Sequence, residues 1–239
     1  MTTTHPPTDG SDVLLLAGLW LPVTVWDAVA EELRHLGHRP QPLALPGTAP
    51  GQTTATLEDQ LDAVLAAVDA APHPVVVGHS AACTLAWLAA DRRPERVARL
   101  VLVGGFPGAD GEPYADLFPP VDGVMAFPGW EPFEGPDAAD LDAGARAALA
   151  AATVPVPATV SQATVRLTDE CRFGVPVTMV CPEFSPEEAR AWVAAGDLPE
   201  LARVAQVDYL DVDTGHWPMV SAPAELARAL DAAVRGGGA

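Results

Sequence analysis

Short apolar runs alternate with amphipathic stretches along most of the chain, and this alternation is what most limits the fold. Val13–Ala17 is a continuous apolar run, as expected of a strand buried on both faces. Trp26, Val29, Ala30, Leu33 and Leu36 follow at helical spacing, and Gly37 stands where a helix would close. Arg39–Leu45 reads as a second strand, ended by Pro46-Gly47. Leu57, Leu61, Val64, Leu65 and Val68 form the clearest helical stripe, with Thr56 as N-cap and Pro72 and Pro74 as the stop. Val75-Val76-Val77 is a short buried strand, Ala81–Asp91 a helix and Val97–Val103 a strand. Further on, Val175–Cys181 is a strand, Pro186–Ala195 a helix, Val207–Val212 a strand and Ala222–Val234 a helix. This order predicts an α/β fold with a mostly parallel, doubly wound sheet and crossover helices.

The middle breaks the rhythm. Residues 107–136 hold seven prolines with Phe127, Trp130 and Phe133 among them. Residues 137–152 are rich in Ala and Asp and read as helical, and 153–174 show no period. The expected organisation is a disordered tail over 1–11, a core formed by 12–106 and 175–235, and an insertion over 107–174 lying across the sheet. Asp137, Asp140 and Asp142 read as a solvated helix face.

Composition excludes several functions. The 239 residues are enough for one large domain. The net charge of −19 repels phosphate backbones and anionic membrane surfaces, so neither nucleic acid nor membrane is an expected partner. Cys83, Cys171 and Cys181 are odd in number, widely spaced and without zinc-ligand spacing. They read as packed small hydrophobes, and no metal or other cofactor is expected. The opening residues lack a basic, apolar export signal, and Val13–Trp26 is broken by Gly18 and Pro22 before reaching the ~20 residues a spanning helix needs. The expected location is cytoplasmic.

Gly78-His79-Ser80-Ala81-Ala82 joins the Val75–Val77 strand directly to a helix. A serine in so sharp a turn exposes its hydroxyl only if the residues two before and two after are small, and Gly78 and Ala82 are. The Ala81 N–H at the helix start then faces any oxyanion formed there. A serine nucleophile needs a base. Of the six histidines only His216 follows the serine motif, in Asp213-Thr214-Gly215-His216-Trp217-Pro218, just beyond the last expected strand. Such loops are where α/β sheets place their sites. His79 reads as a packing or supporting residue, while His35, His38 and His73 read as surface residues. The loop Ala17-Gly18-Leu19-Trp20 after the first strand offers the N–H of Leu19 or Trp20 as a second oxyanion donor. Trp20, Phe106 and Trp217 adjoin these loops and are expected to line a substrate pocket.

In this order, the Ala-Gly-Leu-Trp loop, Leu-Pro-Gly, the Gly-His-Ser-Ala-Ala turn and the late Gly-His-Trp resemble the α/β-hydrolase superfamily. They resemble more narrowly its small serine esterases and hydroxynitrile-lyase-like members, over about 13–106 and 175–235. The resemblance implies Ser80 as nucleophile, His216 as base, the Ala81 and Leu19 amides as oxyanion hole, and 107–174 as a cap or lid. Where the family often has His-Gly in the first loop, this chain has Ala17-Gly18. The family's acid follows the strand read here as Val175–Cys181. That loop holds no Asp but does hold Glu183, the first choice for the triad acid, with Asp110 the second. The implied activity is hydrolysis of an ester, thioester or lactone of a small apolar substrate. The alternatives are an acid–base lyase or acyltransferase on the same fold, with Arg172 as the candidate cation for a lyase, or a non-catalytic small-molecule binder.

Overall fold

The computed structural model describes residues 10–236. Residues 1–9 and 237–239, and with them most of the expected tail, lie outside the described residues. In chain order the elements are β1 (Asp12–Leu16), α1 (Asp27–His35), β2 (Arg39–Pro42), α2 (Leu57–Ala70), β3 (Val75–His79), α3 (Ala82–Arg92) and β4 (Arg99–Val103). The insertion contributes β5 (Val124–Met125), α4 (Ala143–Ala152), β6 (Val156–Pro157) and the single turn α5 (Ala158–Ser161). The core resumes with β7 (Val177–Cys181), α6 (Pro186–Ala195), β8 (Val207–Asp211), the single turn α7 (Pro218–Ser221) and α8 (Pro223–Val234).

Six strands form one parallel sheet in the order β2-β1-β3-β4-β7-β8. The central strands β1, β3, β4 and β7 are apolar at most positions because helices cover both faces. Side-chain alternation divides them between two cores. Val13 and Leu15 of β1 pack with Trp26, Val29 and Leu33 beneath α1 and with Leu226 and Leu230 of α8. Leu14 and Leu16 pack with Leu61 and Val64 of α2 and Leu85 and Trp87 of α3 on the opposite face. Among the described residues no helix is long and apolar enough to cross a membrane.

The element ends follow local chemistry. Thr56 caps α2 in a reciprocal capping box with Asp59. Gly37 follows α1 at φ +94°, where a side chain would be strained. The helix expected over 137–152 starts only at Ala143, because Asp142 accepts the Ala145 N–H as N-cap. Pro136–Ala138 instead form a one-turn 3-10 segment.

Four expectations are corrected. His38 is not a surface residue: it is buried, with Nε2 2.8 Å from Asp231 on α8. Cys171 is exposed, whereas Cys83 and Cys181 are buried. Asp137, Asp140 and Asp142 are not one solvated face, since Asp142 caps α4 and the other two meet the 215–216 loop. Arg172 is buried in an ion network with Asp91 and Glu200, where Glu200 also accepts the Trp87 indole N–H. A guanidinium so engaged is no free cation for a bound substrate.

Candidate active site

β3 feeds α3 through Ser80, which sits at φ +54°, an uncommon conformation for a residue with a Cβ. Two backbone bonds hold it there. The Ser80 N–H donates to Val103 O at 2.8 Å, and Ser80 O accepts the Cys83 N–H at 2.9 Å. Three glycines make the crowding possible. A Cβ on Gly78 would lie 2.4 Å from Ala82 O, one on Gly105 2.5 Å from Ser80 O, and one on Gly18 3.0 Å from Ser80 Cβ. The Gly18 contact brings the first loop against the serine. The Gly105 contact was not anticipated from sequence, although a Gly-Gly pair directly after β4 was a visible signal.

His216 lies beyond β8. Its Nδ1 is 2.6 Å from Glu183 Oε1 in the loop after β7. A carboxylate oxygen only accepts, so Nδ1 is the donor in this contact. A Cβ on Gly104 would stand 3.3 Å from both His216 Nδ1 and Glu183 Oε2. Gly104 thus touches the His216–Glu183 pair while its neighbour Gly105 touches Ser80. Among the described residues no hydrogen bond joins Ser80 Oγ to His216. Such bonds commonly close only around substrate. Asp110, the second choice of acid, instead accepts the Leu167 N–H at 2.9 Å, away from the histidine.

The backbone of His216 is held from two sides. Its N–H donates to Asp137 O at 2.7 Å, and its carbonyl accepts from His79 Nε2 at 2.8 Å. The adjacent Gly215 N–H donates to Asp140 Oδ2 at 2.7 Å. Burial and the proximity of His216 lower the His79 pKa to about 3, so His79 is a neutral donor through Nε2–H. The Asp137 carboxyl is raised by burial, an effect that His216 opposes and Glu183 adds to. Burial pushes the Cys83 thiol far up, which leaves it a donor to Gly78 O and not a nucleophile.

Neither the Leu19, Trp20 nor Ala81 N–H meets a protein acceptor among the described residues. Trp20 itself sits at φ +63°, pinned by its indole N–H to Met125 O at 3.0 Å and by its carbonyl to the Val154 N–H at 2.8 Å. Of the three aromatics expected at a pocket, Trp20 lines a cavity against the first loop. Trp217 is buried against Trp130, Phe133 and the His216 ring. Phe106 packs with Phe184 and Trp192.

No curated protein matches the chain by sequence. Solved structures match it over nearly its whole length. An extracellular alpha/beta-hydrolase from a Paenibacillus species, described as sharing structural and functional homology with tobacco salicylic acid binding protein 2, superposes with TM-score 0.76 at 18% identity. That match covers 92% of this chain and 97% of the other. A pyrethroid hydrolase from Sphingobium faniae JZ-2 gives TM-score 0.66 at 20% identity, covering 94% and 97%. A methylesterase from Arabidopsis gives 0.70 at 14%, covering 95% and 100%. At these identities the likeness shows a shared fold, while a family model described as the alpha/beta hydrolase family matches residues 13–229 of the sequence itself. With its parallel sheet and strained serine turn, the chain belongs to the alpha/beta hydrolase family.

Proposed function

We propose that the protein is a serine hydrolase that cleaves an ester, thioester or lactone of a small apolar substrate through an acyl-Ser80 intermediate. The observation that carries this reading is the His216–Glu183 contact of 2.6 Å formed beside a serine held at φ +54°. Glu183 fixes the imidazole with Nδ1 protonated and stabilises the imidazolium that forms. His216 Nε2 takes the Ser80 proton as Oγ attacks the acyl carbon. The Leu19 and Ala81 N–H groups, free of protein acceptors, receive the oxyanion. Collapse expels the alkoxide or thiolate, protonated by His216, and a water deprotonated by the same nitrogen releases the acid. Residues 107–174 act as the cap, and their contacts to the Trp20 and His216 loops support that role. The membership of the family and the names of two structural neighbours, a pyrethroid hydrolase and a methylesterase, agree with this chemistry. The lyase alternative asks for a cation at the site, and Arg172 is bound elsewhere by Asp91 and Glu200.

Fluorophosphonate labelling with peptide mapping tests the reading. Stoichiometric labelling of Ser80, absent in Ser80→Ala, is expected. A folded wild type that resists both bulky and small probes would overturn it.

A further inference from the structure

The Ala17-Gly18-Leu19-Trp20 loop is fixed at both ends by different parts of the molecule. At one end Gly18 packs against the serine turn, where a Cβ would lie 3.0 Å from Ser80 Cβ and 3.1 Å from His79 O. At the other end Trp20 is buried and held by the insertion. Its indole N–H donates to the carbonyl of Met125, the last residue of β5, at 3.0 Å. Its own carbonyl accepts the N–H of Val154, two residues ahead of β6, at 2.8 Å. β5 and β6 pair antiparallel with Met125 opposite Val156, so one small ribbon supplies both anchors. The Trp20 ring also meets Phe118, Phe127 and Phe133 of the insertion at centroid distances of 6.1, 5.6 and 6.1 Å. Between the two ends lie the Leu19 and Trp20 N–H groups, neither of which meets a protein acceptor among the described residues.

Trp20 holds φ +63°, a strained conformation for a residue with a Cβ. Such strain persists only where the surroundings over-determine it, and it gathers at functional sites. With the indole and the carbonyl both tied, the Trp20 Cα is fixed, and φ sets where its own N–H points. A return to an ordinary negative φ would turn the Leu19–Trp20 peptide by roughly 120° and carry that N–H with it. A tryptophan that only lines a pocket needs neither this strain nor a partner for its carbonyl. We propose that Trp20 is a positioning residue for the oxyanion hole: by gripping its indole and carbonyl, the β5–β6 ribbon holds the first loop so that its free N–H groups face the oxyanion formed at Ser80. The insertion then belongs to the catalytic apparatus and is more than a cover. This assignment rests on the acyl-Ser80 reading above.

The test compares phenyl acetate with its thiono analogue, O-phenyl thioacetate, in which C=S replaces C=O. Sulfur is larger and a weaker acceptor, so donors preset for an oxyanion favour the oxygen ester, whereas a displaced base slows both esters alike. Trp20→Phe keeps a ring among the aromatics and removes the bond to Met125 O. It is expected to lower kcat on phenyl acetate about ten- to a hundredfold with KM changed less than about twofold. The ratio of kcat/KM values, oxygen ester to sulfur ester, should fall about tenfold. Phe127→Leu, which loosens the grip from the insertion's side, should lower the same ratio by a smaller factor. Asp140→Ala, which acts through the histidine loop, should leave the ratio unchanged. Taking the ratio within each variant cancels differences in folded fraction. A wild-type ratio retained in Trp20→Phe, with phenyl acetate cleaved and the cleavage lost in Ser80→Ala, would overturn the role of Trp20 while leaving the hydrolase reading intact. An equal fall in Asp140→Ala would assign the effect to general disorder of the site and overturn that role as well. Failure of wild type to cleave either ester, together with no fluorophosphonate labelling, would remove the hydrolase reading and the role of Trp20 with it.

Discussion

Single atoms decide most of the candidate site. A methyl group on Gly18 would lie 2.8 Å from His79 Nδ1 as well as against Ser80 Cβ, so Gly18→Ala must move either the first loop or the serine. Glu183→Gln keeps the shape of the acid but allows the amide to present its NH2 to His216 and favour the wrong tautomer. A fall in kcat of about 10⁴-fold with the fold retained is expected, read by steady-state kinetics on an activated ester. His79 gives a pH signature. Its pKa is about 3 in the folded protein, against an ordinary value of 6.5. The unfolded chain therefore binds more protons between those values. The stability that His79 contributes is complete above pH 6.5 and is lost as pH falls toward 3, at up to about 1.4 kcal/mol per pH unit. His79→Gln should lack this slope, so the stability gap between wild type and variant narrows as pH drops in denaturant titrations. A gap independent of pH would mean that His79 is not held neutral.

The elements matter through how the insertion meets the core. The segment around Pro136–Ala138 accepts the His216 N–H through Asp137 O and the Gly215 N–H through Asp140 Oδ2. Arg146 on α4 clamps that segment, donating to Ala138 O and Leu141 O. A Cβ on Gly215 would come within 2.3 Å of Asp137 O, which shows how closely the two pieces fit. The insertion is therefore part of what positions the histidine. Asp140→Ala should lower kcat about ten- to a hundredfold with little change in KM, since a displaced base costs rate more than binding. Asp140→Asn keeps an acceptor oxygen for the Gly215 N–H and should recover most of that loss. Equal defects in both variants would assign the effect to charge.

At the scale of the whole molecule, the far end of the insertion is anchored by buried charge. Asp91 on α3 accepts the Thr168 and Asp169 N–H groups at 2.8 and 2.9 Å and pairs with Arg172 and Arg92. Arg172 also joins Glu200 and lies 4.2 Å from the Phe173 ring centre. Replacing Arg172 by Met leaves two buried carboxylates short of a partner. A loss of about 3–5 kcal/mol is expected. At about 2–4 °C per kcal/mol for a domain of this size, calorimetry should show a fall in Tm of roughly 10 °C.

The sequence by itself determined the strand–helix alternation, the two-sided burial of the central strands and the turn at Ser80. Each depends on a period or on the size of residues a few positions apart, so each is readable from a local window. The same holds for the Thr56 cap and the Gly37 stop. Only the tertiary structure decided that Glu183, and not Asp110, meets His216. It alone decided that Asp137 and Asp140 grip the histidine loop, that Arg172 is consumed by Asp91 and Glu200, and that Met125 and Val154 hold Trp20. These partners are separated by tens of residues, and one-dimensional spacing holds no record of which loops the sheet order brings to the same edge. A lone Asp, Arg or Tyr in a loop looks the same whether it faces solvent or a catalytic histidine, because its energy depends on desolvation and on partners that folding supplies.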